Sequence, residues 1–260
     1  MIRNILNRIG WKHGPDVTEE HGPGNAPVSL VSYPKSGSTW VRFVIGNYLS
    51  GGRCDFHNLD DWVPDVHSTG AAVKGNRRSL IQKTHFPDVG EASSAVYLAR
   101  DGRDVAVSYF MHQLKNRAIA DDYGFEQFLA DFNHGDIFPH VSWSDHVISW
   151  CGKDVKDLLV VRYEDLLEDA GKEIARIMRF CGIEVDEVLL NSALGASSFE
   201  AMKTLELAQH HTSRHLSGTR TDIRHVRQGK AGTWREYFDV DALDEFMRIH
   251  GYAMKLLGYE

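Results

Sequence analysis

The chain has 260 residues, of which 42% are hydrophobic and 25% charged, so it can bury the core of one large domain and does not have the composition of a disordered protein. Its formal net charge of −7 argues against a nucleic-acid-binding protein and against a polybasic membrane-surface protein. The three cysteines, at positions 54, 151 and 181, form neither a Cys-x-x-Cys pair nor a disulfide framework, which favours a reducing, cytoplasmic setting.

Residues 1–27 are expected to form an N-terminal extension and linker. The first ten residues interrupt their apolar positions with Arg and Asn, so they lack the apolar core of a signal peptide, and a docked or frayed terminus is favoured over a membrane-surface helix. No run approaches the length of a transmembrane span, so no integral membrane segment is expected. Residues 28–260 are predicted to form a single domain.

An anion-binding loop is predicted where the first strand, residues 28–32, ends. The apolar run stops at Pro34 and leads through Lys35 and Gly37 into a helical pattern. Gly37 lets the backbone approach a ligand, and the Lys35 ammonium and the free N–H groups of the new helix add positive charge. A phosphate or sulfate belongs there, although the loop alone is also consistent with a plain strand-to-helix turn. Because the lysine precedes the glycine, this is not a Walker A loop, and an ordinary nucleotide kinase is disfavoured.

The rest of the chain alternates short apolar runs with amphipathic segments, which is the pattern of an α/β fold with a mostly parallel sheet. Further strands are predicted at 79–83, 95–99 and 158–162, and helices begin near 36, 101, 167 and 241. Ligands in such sheets lie at the carboxyl ends of the strands, and Pro34, Thr84 and Arg100 follow such ends. We therefore expect these segments to converge on one site.

A charged segment, residues 100–104, follows the strand at 95–99. Arg100 comes directly after that strand, and Ser108 lies eight residues further on, about two helical turns along the same face. That spacing suits one phosphate held between a guanidinium and a hydroxyl group. Taken alone, the segment is equally consistent with a solvated helix start with local ion pairs.

Residues 207–228 become polar and cationic and contain a glycine, which predicts a mobile lid. Arg214, Arg220 and Arg224 are expected to draw in an anionic ligand and to order this segment. A metal site at His210, His211 and His215 is disfavoured, because no nearby Cys or carboxylate supports them.

Three ordered motifs resemble those of the cytosolic-type sulfotransferases, which use 3′-phosphoadenosine 5′-phosphosulfate (PAPS) as donor. Residues 33–40 resemble the 5′-phosphosulfate loop of that family, residues 96–109 its 3′-phosphate motif, and residues 227–234 its C-terminal glycine loop. The resemblance implies a three-layer α/β fold with a P-loop-like phosphosulfate loop, 3′-phosphoadenosine 5′-phosphate (PAP) as a product, and no metal requirement.

The resemblance also implies roles for individual residues. His85, in the segment Lys83-Thr-His-Phe-Pro87, matches the catalytic base; a histidine is suited to this work because its ordinary pKa of about 6.5 lets the neutral ring accept a proton. Lys35 would neutralise the leaving group, Lys83 would assist on the sulfuryl oxygens, and Ser108 would bind the 3′-phosphate and hold Lys35 back. The residues that the resemblance assigns to cofactor binding are Lys35, Ser36, Gly37, Ser38, Thr39, Trp40, Arg100, Ser108, Tyr163, Phe199, Arg227, Gln228 and Gly229. Without the resemblance, His85 would be read as a surface or core-edge residue, and the aromatic residues as core.

The C-terminal loop departs from the family pattern. Gln228 stands where the family usually has lysine, and Thr233 where it has aspartate, which puts cofactor affinity in question, although Lys230 could compensate. The family's dimer segment is only loosely echoed after residue 234, so a homodimer is left open.

The acceptor is expected to be a small molecule with a hydroxyl or phenol group. Five aromatic residues are predicted to form a wall that suits a hydrophobic acceptor, with ordinary core packing as the alternative for each: Phe86, Tyr109, Phe110, Phe138 and Trp143. Two other functions stay open, a phosphotransferase on a related fold and a non-catalytic nucleotide sensor. Retention of Lys35, Lys83 and His85 together argues against the sensor.

Overall fold

The structure is a computed structural model that describes residues 27–69, 80–87, 94–152, 157–226 and 229–259. The predictions made for residues 1–26 and for Arg227 and Gln228 lie outside these residues. Among the described residues, no helix is long and apolar enough to cross a membrane.

A parallel four-stranded sheet forms the centre of the described structure. Its strands are β1 (Val28–Ser32), β2 (Ile81–Thr84), β3 (Ser94–Ala99) and β4 (Asp157–Arg162), arranged in the order β2-β1-β3-β4. All three neighbouring pairs are parallel. The strand ends differ from the predicted ones by no more than two residues, and the predicted α/β fold is confirmed.

The two central strands explain why the sequence predicted the sheet well. All six residues of β3 are buried, and so are all residues of β1 except Ser29. Strands that are covered by helices on both faces have near-continuous apolar sequences rather than alternating ones. One hydrophobic cluster covers each face of the sheet, and a third, smaller one contains Phe43, Phe56 and Leu216.

Helices flank the sheet. In chain order they are α1 (Ser38–Ser50), α2 (Leu59–Trp62), α3 (Val66–Thr69), α4 (Gly102–Lys115), α5 (Phe125–His134), α6 (Trp143–Cys151), α7 (Tyr163–Glu168), α8 (Ala170–Phe180), α9 (Glu187–Ala196), α10 (Phe199–Gln209) and α11 (Val240–Leu256), with a 3₁₀ turn at Thr233–Glu236. In α11, Phe246 and Met254 are fully buried.

The helices differ in whether a side chain caps their first turn. The side chain of Asp101 accepts a hydrogen bond from the backbone N–H of Arg103 at the start of α4, and Asp239 caps α11 in the same way. Helix α1 instead begins after Gly37, which provides no side-chain cap. The first N–H groups of α1 are therefore open to an anionic ligand.

Candidate active site

A cavity of about 520 Å³ lies at the carboxyl ends of β1, β2 and β3. It brings together most of the residues that the sequence singled out for catalysis and cofactor binding: Lys35, Gly37, Ser38, Thr39, Trp40, Lys83, His85, Arg100, Ser108, Tyr163, Phe199 and Gly229 all line it. Ser36 belongs to the same loop but is buried beneath the cavity wall.

The loop between β1 and α1 has the backbone that an anion site needs. Gly37 has φ 102°, and a Cβ atom there would lie 2.8 Å from Cδ2 of Tyr163, so this position requires glycine for both conformation and space. Lys35 has φ 75°, a left-handed conformation that is uncommon for a residue with a side chain. Strain of this kind is found where a backbone is held for function.

The Lys35 ammonium lies 3.5 Å from Nδ1 of His112. Burial, and next the nearby Arg100 guanidinium, lower the pKa of Lys35 to about 7. Ser108 was expected to hold this lysine back, but the structure places His112, one helical turn beyond Ser108, in hydrogen-bond contact with it. Ser108 itself lies on the cavity wall.

Arg100 joins the two ends of the predicted donor site. Its guanidinium donates to the carbonyl of Lys35 at 3.0 Å and to the carbonyl of Lys230 at 3.2 Å, and it stacks 4.4 Å from the ring centroid of Tyr163. Its Nε is buried and has no hydrogen-bond partner within the described ranges. Buried donors of charged groups are normally satisfied, so this arrangement suits an anionic ligand.

Three aromatic residues that the resemblance assigns to cofactor binding, Trp40, Tyr163 and Phe199, line the same cavity. Trp40 meets Tyr163 edge-on, with ring centroids 6.3 Å apart, and its Nε1 donates to the carbonyl of Ser197. Phe199 packs against Gly229, where a Cβ atom would lie 3.1 Å from Cδ2 of the ring. The aromatic rings and the backbone of Gly229 together border a space that suits a planar ligand group.

The tautomer of His85 follows from its surroundings. Its Nδ1 lies 2.6 Å from the carbonyl oxygen of Ser32, and because a carbonyl can only accept, Nδ1 carries the proton. Nε2 therefore keeps its lone pair. Burial, and next the positive charge of Lys83, hold the pKa of His85 well below its ordinary value, so the ring is neutral and able to accept a proton.

Lys83 is held by a carboxylate that sequence reasoning did not single out. Its Nζ lies 2.7 Å from Oδ2 of Asp65, and both side chains are largely buried. Burial lowers the pKa of Lys83 to about 8, while the charge of Asp65 acts in the opposite direction.

Besides His85, four histidines line the cavity: His67, His112, His215 and His225. His67 and His112 each contact a predicted catalytic residue, and His225 packs edge-on against His112 with ring centroids 5.7 Å apart. His112 could have been found from its position four residues after Ser108 on one helix face. No motif in the sequence around His67 or His225 indicates that these segments lie beside the site.

Of the five residues of the predicted acceptor wall, two line the cavity. Tyr109 and Phe138 line the cavity, and the Tyr109 hydroxyl donates to the carbonyl of Phe138 at 2.7 Å. Phe86 is 51% exposed and reaches the site only through ring contacts with Phe138 and His67.

Two of the predicted wall residues are core residues instead. Phe110 packs against the rings of Phe125 and Phe128. Trp143 is 1% exposed and lies against Gly102 and Phe246. The prediction failed because a helical segment next to a site presents one face to the cavity and the other to the core, and the residue type alone does not say which.

The segment predicted to be a lid is tied to the body at its described residues. Lys115, 2% exposed, donates to Glu206 at 3.1 Å and to the carbonyls of Arg220 and Ile223. Glu206 in turn accepts from the backbone N–H groups of residues 225 and 226. The mobility of this segment stays a prediction.

The cations of that segment are engaged with carboxylates. Arg214 pairs with Asp60, and Arg220 pairs with Asp121 and Asp222. These contacts do not favour the expectation that both arginines draw in an anion. Among the described residues, no group of three or more His, Cys, Asp or Glu side chains is arranged to hold a metal, and His215 instead lies 3.3 Å from Asp60.

The C-terminal loop is organised by the fully buried Asp104 of α4. Its carboxylate accepts from the backbone N–H of Gly232 at 2.6 Å, from Thr233 Oγ1 at 3.1 Å and from the backbone N–H of Trp234 at 3.0 Å. Thr233, which departs from the family pattern, is therefore a hydrogen-bond donor to a carboxylate, and an aspartate there would place a second negative charge beside Asp104.

In chemical terms the cavity combines an uncapped helix start, the buried Lys83, the half-buried Lys35 and an arginine with a neutral imidazole whose Nε2 is free to accept a proton. Such a set can bind a multiply charged anion and accept a proton from a hydroxyl group next to it.

Comparisons with known proteins point to one family. The family described as "Sulfotransferase domain" matches residues 26–258. Sulfotransferase 1B1 of Canis lupus familiaris is 31% identical over 245 residues, covering 86% of this chain and 81% of that protein. Sulfotransferase 1B1 of Mus musculus is 31% identical over 258 residues, covering 91% of this chain and 84% of that protein.

Solved structures show the same fold. Mouse sulfotransferase SULT7A1, crystallised with PAP, superposes with a TM-score of 0.69 at 24% identity, over 89% of this chain and 84% of that one. Retinol dehydratase, crystallised with retinol and PAP, gives a TM-score of 0.70 at 22% identity, over 92% of this chain and 84% of that one.

Proposed function

Because the chain belongs to the sulfotransferase family and is a PAPS-dependent sulfotransferase, we propose that it transfers the sulfuryl group to a hydroxyl of a small-molecule alcohol or phenol, with His85 as the general base. The observation that carries this proposal is that His85, Lys83 and Lys35 line one cavity together with Arg100. These residues are up to 65 positions apart in the chain, and a merely structural role for each would not require them to share a cavity.

The residues present fit the donor. Arg100 has a buried Nε without a partner among the described residues, and the glycines at 37 and 229 leave spaces beside Tyr163 and Phe199 that a Cβ atom would fill. When bound, the donor supplies an activated sulfuryl group on a phosphate leaving group. Lys35, the residue 36–39 loop and the start of α1 would hold the 5′-phosphosulfate, whereas Trp40, Tyr163 and Phe199 would surround the adenine.

The 3′-phosphate would be held by Arg100, Ser108 and the backbone at Gly229. Arg227 and Gln228, which are not among the described residues, are proposed to bind the same phosphate. Lys230 already meets Arg100 through its carbonyl oxygen, so its backbone, rather than its charge, is what links the C-terminal loop to the guanidinium.

For the acceptor, His85 would take the hydroxyl proton at Nε2. The Ser32 carbonyl fixes Nδ1–H and so keeps Nε2 as the accepting atom. Lys35 and Lys83 would place two ammonium groups beside the oxygens on which negative charge increases, where fixed charges in a buried site are most effective. Tyr109 and Phe138 would contact the acceptor body.

The test combines binding and turnover. The purified chain is incubated with radiolabelled PAPS and a panel of alcohols and phenols, and thermal shifts are recorded with PAP, AMP and ATP plus Mg²⁺. PAP at a hundredfold excess over its dissociation constant is expected to stabilise the protein by about 2.7 kcal/mol. Selective stabilisation by PAP with label transfer to a hydroxyl compound is the expected result.

Two outcomes would count against the proposal. Stabilisation by ATP plus Mg²⁺ equal to that by PAP would favour the phosphotransferase alternative. Stabilisation by PAP with no transfer to any hydroxyl acceptor would contradict the acceptor class and favour the nucleotide sensor.

A further inference from the structure

Residues 64–67 run beside the end of β2 and contact two proposed catalytic residues, Lys83 in that strand and His85 just after it. The backbone N–H of Lys83 donates to the carbonyl of Pro64 at 2.8 Å, and Asp65 forms an isolated parallel bridge with Lys83. This strap, residues 64–67, thus adds a short edge to the sheet at the point where the cavity opens.

The Asp65 carboxylate contacts both Lys83 of β2 and His67 of the strap. Its Oδ2 accepts from Lys83 Nζ at 2.7 Å, and its Oδ1 accepts from the backbone N–H of His67 at 2.9 Å. Asp65 and Lys83 are 9% and 6% exposed. A buried lysine without a paired carboxylate tends to lose its proton, so this contact sets both the direction and the charge of Lys83.

His67 contacts His85 through both backbone and ring. Its Nε2 accepts from the backbone N–H of His85 at 2.7 Å. The two rings stack, with centroids 5.5 Å apart and planes 18° from parallel, and Phe138 packs edge-on against both. The ring of His85 is therefore fixed from one side by the Ser32 carbonyl and from the other by His67.

We propose that Asp65 and His67 are positioning residues for sulfuryl transfer: Asp65 keeps Lys83 charged and directed into the cavity, and His67 holds the backbone and ring of His85. This inference rests on the proposed roles of Lys83 and His85. It assigns a function to a segment that carries none of the motifs that identified the site.

Asp65 is tested by the pH dependence of kcat/KM for the acceptor, measured for Asp65→Asn at saturating PAPS so that the titration of Lys35 in the free donor site does not contribute. The pKa of Lys83, lowered to about 8 by burial, is supported by Asp65, and Arg42 and Asp60 also act on it. The other titratable groups that interact with its charge are Lys35, His67, His85 and His112. The wild-type rate is expected to fall as the pH rises through about 8, because the ammonium is lost. Without the carboxylate this fall should begin about one pH unit lower, so that the variant is roughly fivefold slower at pH 8.

The controls separate charge from structure. Asp65→Glu should restore the pH at which the wild-type rate falls. Asp61→Asn, which changes an exposed carboxylate of the neighbouring helix α2, should leave that pH unchanged. PAP-induced thermal shifts show whether each variant is folded. A folded Asp65→Asn variant whose rate falls at the same pH as that of the wild type would overturn the role of Asp65.

His67 is tested by comparing two substitutions. His67→Phe keeps a flat ring but leaves the backbone N–H of His85 without an acceptor, and kcat should fall roughly tenfold with an unchanged KM for PAPS. His67→Gln offers a side-chain oxygen to the same N–H and should recover most of the loss. His57→Gln, at an exposed histidine, serves as the matched control. Equal kcat for His67→Phe and the wild type, or for His67→Phe and His67→Gln, would overturn the role of His67.

The failure of this inference can be told from the failure of the proposed function. If His85→Ala is inactive while folded Asp65→Asn and His67→Phe variants behave as the wild type, the strap inference is wrong and the proposed function stands. If His85→Ala is fully active, the proposed base is wrong and the strap inference falls with it.

Discussion

The two sides of the cavity are built in different ways. The anion-binding part of the donor side lies within one short segment, the loop at residues 33–40 and the start of α1, to which Arg100 is added from the end of β3. The acceptor side is assembled from His67, His85 and Phe138 with parts of α4, and its contacts join segments that are far apart. The comparison teaches that binding a phosphate can be encoded by a short backbone conformation, whereas placing a base against an acceptor depends on the packing of several elements.

The largest expected effect separates chemistry from donor binding. Replacing His85 with alanine should lower kcat by about 10³-fold, because the acceptor proton loses its base, while PAP affinity changes less than about twofold. Single-turnover rates and a PAP titration measure the two quantities. A large loss of PAP affinity would mean that His85 belongs to the donor side, and the division between the two sides would be wrong.

The opposite result is expected for Arg100→Ala. Removing a buried guanidinium that faces an anion should weaken PAP binding about 100-fold. Calorimetric titration measures this loss. Arg248→Ala, at a surface arginine paired with Glu245, is the control and should bind PAP as the wild type does. Unchanged affinity in Arg100→Ala would remove Arg100 from the donor site.

The charge of Lys35 gives the donor side a pH dependence. Its pKa is lowered to about 7 by burial, and the ammonium form binds the anion, so PAP affinity should fall as the pH rises. Between about pH 6 and pH 8 the protonated fraction of the free site drops roughly tenfold, and affinity should follow. In Lys35→Ala this component should be absent, which also corrects for titration of the phosphates themselves. Identical pH slopes in the two proteins would contradict the prediction.

The smallest expected effect concerns the C-terminal loop. Thr233→Val keeps the shape of the side chain but removes the hydroxyl that donates to Asp104, and the free energy of unfolding should fall by about 1 kcal/mol. Thr233→Ser retains the hydroxyl and should lose less. Urea denaturation measures both. Equal stability of Thr233→Val and the wild type would show that the two backbone N–H groups alone satisfy Asp104.

Sequence reasoning succeeded where one local signal determined the structure. The strands at 28–32 and 94–99 are nearly continuous apolar runs, and the change from Pro34 through Gly37 to a helical pattern gave the loop its place and its ligand class. It failed for Phe110 and Trp143, which are aromatic residues near the site whose side chains point into the core. It also passed over Asp65 and His67, because neither the strap nor its place beside β2 has a motif. The homodimer, the cytoplasmic setting and the lid stay predictions.

The sequence by itself therefore determined the α/β fold and the glycine-containing loop between β1 and α1, because apolar periodicity and glycine-dependent turns act over a few residues and are visible in the order of the chain. The family followed from the resemblance of three ordered motifs. Only the tertiary structure decided which carboxylate accompanies Lys83, which imidazole holds His85, and that His112 rather than Ser108 contacts Lys35. The physical reason is that these contacts depend on where separate elements pack, and the electrostatics of a buried group follow from its neighbours in space rather than in sequence.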